Sequence, residues 1–452
     1  MAEMASDPIA LASAADTRPV EAVSPAYWSV AKRVGFRLSF AYFSLYVLSN
    51  QMIGGIIPFF NVPELGNTRA GQAVVLWVAK HVFHIGYTII TTETGSGDRT
   101  FDWVANFCIV ALAILAAAVW SIVDRKRENY SAMYKWFRLF MRFALAGQMF
   151  GYGFAKIFPL QMPFPRLEKL LEPYGNFSPM GVLWSSIGAS QAYEIFAGSA
   201  ETLGGLLLIF PRTAMLGALI SLADMTQVFL LNMTYDVPVK LLSFNLILFS
   251  LFVLAGDADR LANLFFLNRT AAPERARPLF RRAWANRTAV AVQIVFGFVL
   301  IGMTVYGSVQ EVSQYGWKAP KPELYGIWNV ESFSIDGQER PPLLTDTQRW
   351  RRIVFDSFGT IMVSGTVHSM DDTTQRYNLQ INTAAKTFVL TNPSDKNWKA
   401  TFAFQRATPT ELVVDGTMDN HKIHAELAQF DVSKFLLVSR GFHWIQERGL
   451  NR

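Results

Sequence analysis

Three polar side chains recur at every fourth position near the end of one apolar segment: Gln148, Tyr152 and Lys156. On a helix this spacing places them on one face. A lysine inside a membrane helix is energetically expensive, so by default it marks a functional site. Tyrosine and lysine can also donate and accept protons. The segment therefore predicts a polar site, and the helix is expected to break at Pro159.

Further polar residues lie in the neighbouring apolar segments at a similar predicted depth. Glu194 and Glu201 fall on one helical face, and Asp224 shares a face with Gln227 near mid-membrane. We predict that Lys156 bonds to Glu194 or Glu201, because buried opposite charges pair. The candidate catalytic residues are Tyr152, Lys156, Glu201 and Asp224, and the candidate ligand-binding residues are Gln148, Tyr193, Glu194, Gln227 and Lys240.

A purely structural interpretation of the same residues is also open. Lys156 and Lys240 are predicted near helix ends, where a lysine can extend its ammonium group to the interface. Glu201 and Asp224 would then hold neighbouring helices together. No metal site is predicted.

Composition predicts that the chain is an α-helical integral membrane protein, whose membrane spans position these residues. Of the chain, 51% is hydrophobic and only 17% is charged, against about 25% charged in a soluble protein. Several apolar runs are about 20 residues long, enough to span a bilayer. Cys108 is the single cysteine, which excludes a disulfide framework and a CxxC redox pair. The seven predicted spans are Leu38–Phe60, Trp103–Val123, Phe137–Phe158, Ser190–Phe210, Ala214–Asn232, Leu241–Ala255 and Thr288–Tyr306.

The distribution of basic residues predicts the orientation of these spans. Basic segments precede span one and separate spans two and three, four and five, and six and seven. All four then fall on the cytoplasmic side, and the C-terminal region lies outside an inner (plasma) membrane. This pattern accounts for the net charge of +6, so nucleic-acid binding is not expected. Residues 1–30 are expected to be a disordered cytoplasmic tail and 31–310 the membrane domain, in which Gly147 and Gly151 predict a close helix contact.

The chain changes character after a linker at residues 311–320. From residue 321 to 452, short alternating segments separated by turns predict an external antiparallel β-barrel or β-sandwich. The sequence Gly326–Ile327–Trp328 at its start resembles the opening of lipocalin-type barrels. The predicted strands are Tyr325–Phe333, Trp350–Phe355, Thr360–Val367, Arg376–Ile381, Thr387–Thr391, Ala400–Gln405, Glu411–Asp415, Lys422–Leu427 and Phe435–Ser439.

Two stretches carry a resemblance to a known membrane family. Gly151–Lys156 is a glycine-rich span with a terminal lysine, and Glu201–Leu208 (ETLGGLLL) is followed by Pro211–Arg212. With these motifs, residues 134–268 resemble the DoxX-like membrane proteins. That resemblance implies a four-helix module named for subunits of a quinone-linked sulfur oxidoreductase. The chain is more distantly similar to the vitamin K-dependent carboxylase group, which also has a lysine after a Tyr/Gly-rich span and an external β-domain.

Three classes of function follow from these observations. The first is a membrane redox component whose outer-leaflet polar pocket binds a quinone or another lipidic molecule, with electrons supplied by a redox partner subunit or a bound cofactor. The second is a carrier whose β-domain captures a lipophilic small molecule. The third is a membrane scaffold without catalysis. The polar residues within the spans favour the first.

Overall fold

Helices occupy the chain from Val30 to Gln314, and the computed structural model describes residues 27–57, 62–270, 278–359, 362–395 and 397–451. Residues 1–26 of the predicted tail lie outside these ranges. The helices are α1 Val30–Ser49, α2 Met52–Ile56, α3 Arg69–His81, α4 Thr100–Val123, α5 Ser131–Ile157, α6 Leu167–Leu171, α7 Pro179–Gly188, α8 Gln191–Ile209, α9 Ala214–Thr234, α10 Lys240–Leu254, α11 Ala258–Phe265 and α12 Ala283–Gln314, with α13 Leu436–Ser439 near the C-terminus.

Local sequence explains where the helices that form the site begin and end. The Ser190 side chain accepts a hydrogen bond from the Tyr193 backbone N–H at the start of α8, and Pro211 follows its end. Ser178 caps α7 in the same way, with Pro179 at the first helical position. Helix α5 ends just before Pro159, as the sequence predicts.

Four helical segments in the described part of the chain are long and apolar enough to cross a membrane: Thr100–Val123, Ala214–Thr234, Lys240–Phe265 and Ala283–Gln314. By helix length and hydropathy, the predicted number of seven spans is therefore higher than the four found in the described part of the chain. The other three predicted spans are helical, as α1, α5 and α8, but they carry charged residues. Arg37, Arg142 and Glu201 are examples, and each is buried against protein groups. A protein that supplies such partners can bury charges that a lone membrane span cannot.

The basic segments gather at one end of the helices. The Arg37 guanidinium at the start of α1 donates to the Tyr130 hydroxyl at 2.9 Å, just before α5 begins. Arg138 of α5 forms a salt bridge with Asp257, which follows α10. Arg142 donates to the Leu208 carbonyl oxygen at the end of α8 at 2.6 Å. Consecutive long helices thus alternate in direction, so Lys156 lies towards the opposite end.

Within 326–429, the described residues form a closed antiparallel barrel of eight strands, to which a two-residue strand, β2, is added. Each barrel strand pairs with the next, and β1 pairs with β9 to close the sheet. The hairpin loops Asp336–Gly337 and Asp419–Asn420 have positive φ at both residues, as tight two-residue hairpins require. The strands are β1 Gly326–Ile335, β2 Gln338–Glu339, β3 Trp350–Phe358, β4 Met362–Ser369, β5 Thr374–Asn382, β6 Thr387–Thr391, β7 Lys399–Thr408, β8 Glu411–Met418 and β9 His421–Gln429.

The barrel prediction is thus confirmed, but its last strand is wrong. In the predicted strand Phe435–Ser439, residues Leu436–Ser439 form the short helix α13 instead, because the sheet is already closed by β9 pairing with β1.

Aromatic side chains fill the interior of the barrel. The rings of Phe388 and Phe402 stack at 5.0 Å between centroids, and Phe355 and Trp350 contact this pair at 5.3 and 5.7 Å. All four residues are at most 3% exposed. Trp328 of the GxW sequence is fully buried, and its indole N–H donates to the Leu324 carbonyl oxygen at 2.9 Å. The interior is therefore a packed core, as in other small barrels.

Helix α6 joins the barrel to the helical part. Leu167 packs on the outer face of the barrel against Ile327 and Val354. The Glu168 carboxylate accepts hydrogen bonds from Thr366 at 2.5 Å and Ser364 at 3.3 Å. The barrel is consequently attached to the loop that follows α5, at the end of the helices where Lys156 lies.

Candidate functional site

The centre of the site is an ion pair between α5 and α8. The Lys156 ammonium lies 2.8 Å from both carboxylate oxygens of Glu201. The two side chains are only 9% and 5% exposed. The prediction that Lys156 bonds to one of the two glutamates of α8 is confirmed, and Glu201 is the partner. The alternative in which the lysine extends to the surface is wrong for Lys156.

Two glycines allow the helices to approach closely enough for this pair to form. A Cβ atom on Gly153 would lie 2.3 Å from the Thr202 Oγ1 atom, and one on Gly198 would lie 2.5 Å from the Gly153 carbonyl oxygen. The predicted close contact at Gly147 and Gly151 is only half right. Gly147 approaches Gly55, whereas a Cβ on Gly151 would meet nothing within 4 Å.

Asp224 of α9 adds a second carboxylate beside the pair. It interacts electrostatically with both Glu201 and Lys156. Its Oδ2 atom is buried and has no hydrogen-bond partner among the described residues. A buried carboxylate oxygen without a partner is costly and points to a ligand or water at that position.

These groups line a cavity of about 530 Å³. Its polar lining includes Tyr152, Lys156, Tyr193, Glu201, Asp224 and Gln227, and also Gln161, Asn232 and Ser243. Its remaining lining is mostly apolar and includes Met225, Val228, Leu242 and Leu246. A mostly apolar cavity with a few convergent polar groups is typical of a small-molecule site. All four candidate catalytic residues lie together here.

A segment that connects α5 to α8 covers the cavity. Met162 precedes α6, and Met180, Leu183 and Trp184 lie on α7. The Trp184 indole N–H donates to the Gln161 carbonyl oxygen at 3.0 Å, which ties α7 to the start of the segment. Residues 158–188, which we call the roof segment, also carry the Leu167 and Glu168 contacts to the barrel. Sequence reasoning missed this role, although Ser178–Pro179 signals the start of α7.

Three of the predicted ligand-binding residues lie elsewhere. Glu194 is fully buried and accepts a hydrogen bond from the Met162 backbone N–H at 2.9 Å, so it holds the roof segment in place. Gln148 is buried against Gly55. Lys240 pairs with Asp236 at 3.1 Å and with Asp98 at 3.8 Å, outside the cavity. Helical spacing predicted their faces but not which neighbour each face meets.

Tyr152 also borders a second, polar cavity of about 270 Å³. Its hydroxyl accepts a hydrogen bond from the Gln51 amide at 3.1 Å. Asn50, Gln51 and Glu64 line this second cavity. Tyr152 therefore separates the Lys156 cavity from a polar space between α1 and α4. Among the described residues, no group of three or more side chains gathers that could ligate a metal ion.

Comparisons with known proteins add one relative. A stretch of 129 residues, 28% of the chain, is 33% identical to the uncharacterized protein YwoB of Bacillus subtilis strain 168 and covers 79% of that protein. No protein-family model matches the chain. No solved structure matches it either.

Proposed function

We propose a function from the site itself, because the chain belongs to the family of Bacillus subtilis YwoB and that relative is uncharacterized. The helical part binds a lipophilic molecule with a polar head group, such as a quinone, as a component of a membrane redox system. The observation that carries this proposal is the buried Asp224 oxygen beside the Lys156–Glu201 pair, which no described residue hydrogen-bonds. It lies in a cavity whose remaining walls are mostly apolar. The DoxX-like resemblance of residues 134–268 points to the same chemistry.

The polar groups suit the two oxidation states of a quinone. The carbonyl oxygen of a quinone would accept hydrogen bonds from Lys156 or Tyr152, and the hydroxyl group of the quinol would donate to Asp224. Reduction of quinone to quinol consumes two electrons and two protons. The cavity groups would pass the protons, and the polar space beyond Tyr152 would resupply them. Cys108 is the single cysteine, so the chain has no cysteine pair that could carry electrons. The electrons would therefore come from a redox partner subunit or from a bound cofactor.

The proposed placement in the membrane follows the charge rule. The end that carries Arg37, Arg138 and Arg142 faces the cytoplasm of an inner (plasma) membrane. The cavity then lies towards the outer leaflet, and the barrel lies in the periplasm or outside the cell. Amphipathic molecules dissolved in the bilayer would reach the cavity laterally from this leaflet.

The barrel is more suited to covering the cavity than to carrying a ligand. Its interior is filled by Phe355, Phe388 and Phe402. Its outer face holds the roof segment through Leu167 and Glu168. A lipocalin-like carrier role would need an internal cavity, so we place the ligand in the helices. A scaffold without a ligand is the remaining alternative. Measuring the bound ligand distinguishes this alternative from ligand binding in the helices.

The test is extraction of lipids and quinones from the full-length protein purified in mild detergent, quantified by mass spectrometry. We expect a stoichiometric lipophilic molecule in the wild type and at least a tenfold lower amount in Asp224→Asn. The matched control is Asp236→Asn, which changes a largely exposed carboxylate (83% of its side chain) outside the cavity. Asp236→Asn should retain the ligand.

Two outcomes would overturn the proposal. Equal ligand content in Asp224→Asn and Asp236→Asn would mean that the molecule does not bind in the cavity beside Asp224. No bound molecule in the wild type, also after incubation with a short-chain ubiquinone, would leave the scaffold function. If the only molecule that Asp224→Asn loses is a lipid without a redox group, binding in the cavity stands and the redox role falls.

A further inference from the structure

Another cavity, of about 650 Å³, lies at the opposite end of the helices from the Lys156 cavity. It is bounded by the start of α5, the turn between α8 and α9, and the start of α12. Four basic side chains line it: Lys135, Arg138, Arg142 and Arg212. No carboxylate is among its described lining residues. It does not share a residue with the Lys156 cavity.

The positive charge of this cavity is only partly neutralised. Arg138 forms a salt bridge with Asp257. The Lys135 ammonium donates to the Pro278 carbonyl oxygen at 3.3 Å. Among the described residues, neither Lys135 nor Arg212 forms a salt bridge. Arg142 is 7% exposed, and its guanidinium already donates to the Leu208 and Ile209 carbonyl oxygens and to the Gln293 side chain, so we leave it out of the proposed site. Lys135 and Arg212 thus line the cavity with positive charge that no described carboxylate neutralises.

An apolar cavity of about 620 Å³ adjoins the basic one. The two share Leu139, Leu279, Ala289 and Gln293. The apolar cavity is lined by Trp136, Phe280, Trp284 and Val292. Trp284 and Val292 are 64% and 60% exposed, so this surface opens outward from the helices. α12 is long and apolar enough to cross a membrane, and in a membrane its exposed apolar face would adjoin lipid.

We propose that the two cavities together bind one anionic phospholipid. The phosphodiester group lies between Lys135 and Arg212, and the acyl chains follow the face formed by Trp284 and Val292. Arginine and lysine are the side chains that recognise phosphate oxygens. Basic pockets between helices on the cytoplasmic side are suited to anionic head groups. A free phosphate would satisfy the basic cavity, but it would leave the adjoining apolar cavity without an occupant.

Native mass spectrometry of the full-length protein with phosphatidylglycerol and with zwitterionic phosphatidylcholine tests the proposal. We expect selective retention of phosphatidylglycerol by the wild type. Lys135→Gln with Arg212→Gln should reduce that selectivity by about fivefold for each charge removed, since a basic residue near an anionic surface contributes about 1 kcal/mol. The matched control is Arg125→Gln with Lys126→Gln, which removes two exposed charges from the loop after α4 at the same end.

The single variant Arg212→Gln changes an exposed side chain and should fold normally. It therefore tests the proposal even if the double variant does not fold. Equal loss of selectivity in the cavity variants and the control, or no selectivity in the wild type, would overturn the proposal. A last measurement adds one of two soluble competitors. They are glycerophosphoglycerol, which is the head group without acyl chains, and inorganic phosphate. Competition by either at the concentration effective for phosphatidylglycerol would assign the cavity to a soluble phosphate and overturn the lipid assignment.

Discussion

The Lys156 ammonium of α5 lies 2.8 Å from both carboxylate oxygens of Glu201 on α8, although 45 positions separate the two residues in the chain. Both side chains are almost completely buried. The pair links the two helices that carry the site and leaves the neighbouring Asp224 carboxylate available to a ligand. Its disruption therefore affects both stability and binding.

Removing one member of the pair should destabilise the protein. Lys156→Met leaves the Glu201 carboxylate buried without its partner, which costs about 3–5 kcal/mol. Lys156→Met with Glu201→Gln should recover part of that loss, because no unpaired charge remains. Thermal melting of the four members of this double-mutant cycle measures the coupling. Lys169→Met, in a pair 37% and 31% exposed, is the control and should change stability by less than about 1 kcal/mol. Additive effects would contradict a coupled pair.

The glycine contact between α5 and α8 gives two opposite predictions. Gly153→Ala places a methyl group against Thr202 and Gly198, and this overpacking should cost about 1–3 kcal/mol. Gly151→Ala, two positions away on the same helix, meets nothing within 4 Å and should stabilise by about 0.5–1 kcal/mol. Melting temperatures of both variants in the same detergent test the prediction. A similar shift for both would mean that the helices do not cross at Gly153.

The packed interior of the barrel predicts a large cost for Phe402→Ala. The Phe402 ring is fully buried and stacks on Phe388, so its removal should cost about 3–5 kcal/mol. The neighbouring Thr401 is exposed, and Thr401→Ala should cost less than about 1 kcal/mol. Chemical denaturation of the full chain, followed by tryptophan fluorescence, measures both changes. A cost below about 1 kcal/mol for Phe402→Ala would indicate an interior with room for a ligand.

His368 on the outer face of the barrel should make stability depend on pH. Burial lowers the pKa of His368 below its ordinary value of 6.5, Arg352 and Arg351 lower it further, and Glu168 and Asp372 oppose this. The folded state therefore disfavours the protonated ring. The neutral His368 ring contributes fully to stability above pH 6.5. This contribution is lost as the pH falls from 6.5 towards the lower pKa of His368 in the folded state.

Melting temperatures at pH 7.5 and pH 5.5 test this prediction. The wild type should lose more stability on acidification than His368→Gln, which cannot be protonated. Asp356 is a background group of opposite sign, because burial raises its pKa, and both proteins retain it. An identical loss in both would show that His368 does not carry the dependence.

Much of the architecture followed from patterns along the chain. Alternation of apolar and polar residues located all eight strands of the barrel, since side chains of a strand point alternately inward and outward. The helix of Lys156 was also predictable, because Pro159 fixes its end. The count of spans failed, because α1, α5 and α8 carry charged residues whose partners lie on other helices. The sequence pattern of one segment does not contain those partners.

The residues of the site were determined by the sequence, and their grouping was decided by the tertiary structure. Residue type and helical spacing identified Tyr152, Lys156, Glu201 and Asp224 as groups able to exchange protons. Only the close crossing of α5 and α8 at Gly153 paired Lys156 with Glu201, and it left Glu194 to hold the roof segment. Helical periodicity fixes which side chains share a face. The packing of helices distant in sequence determines what each face meets.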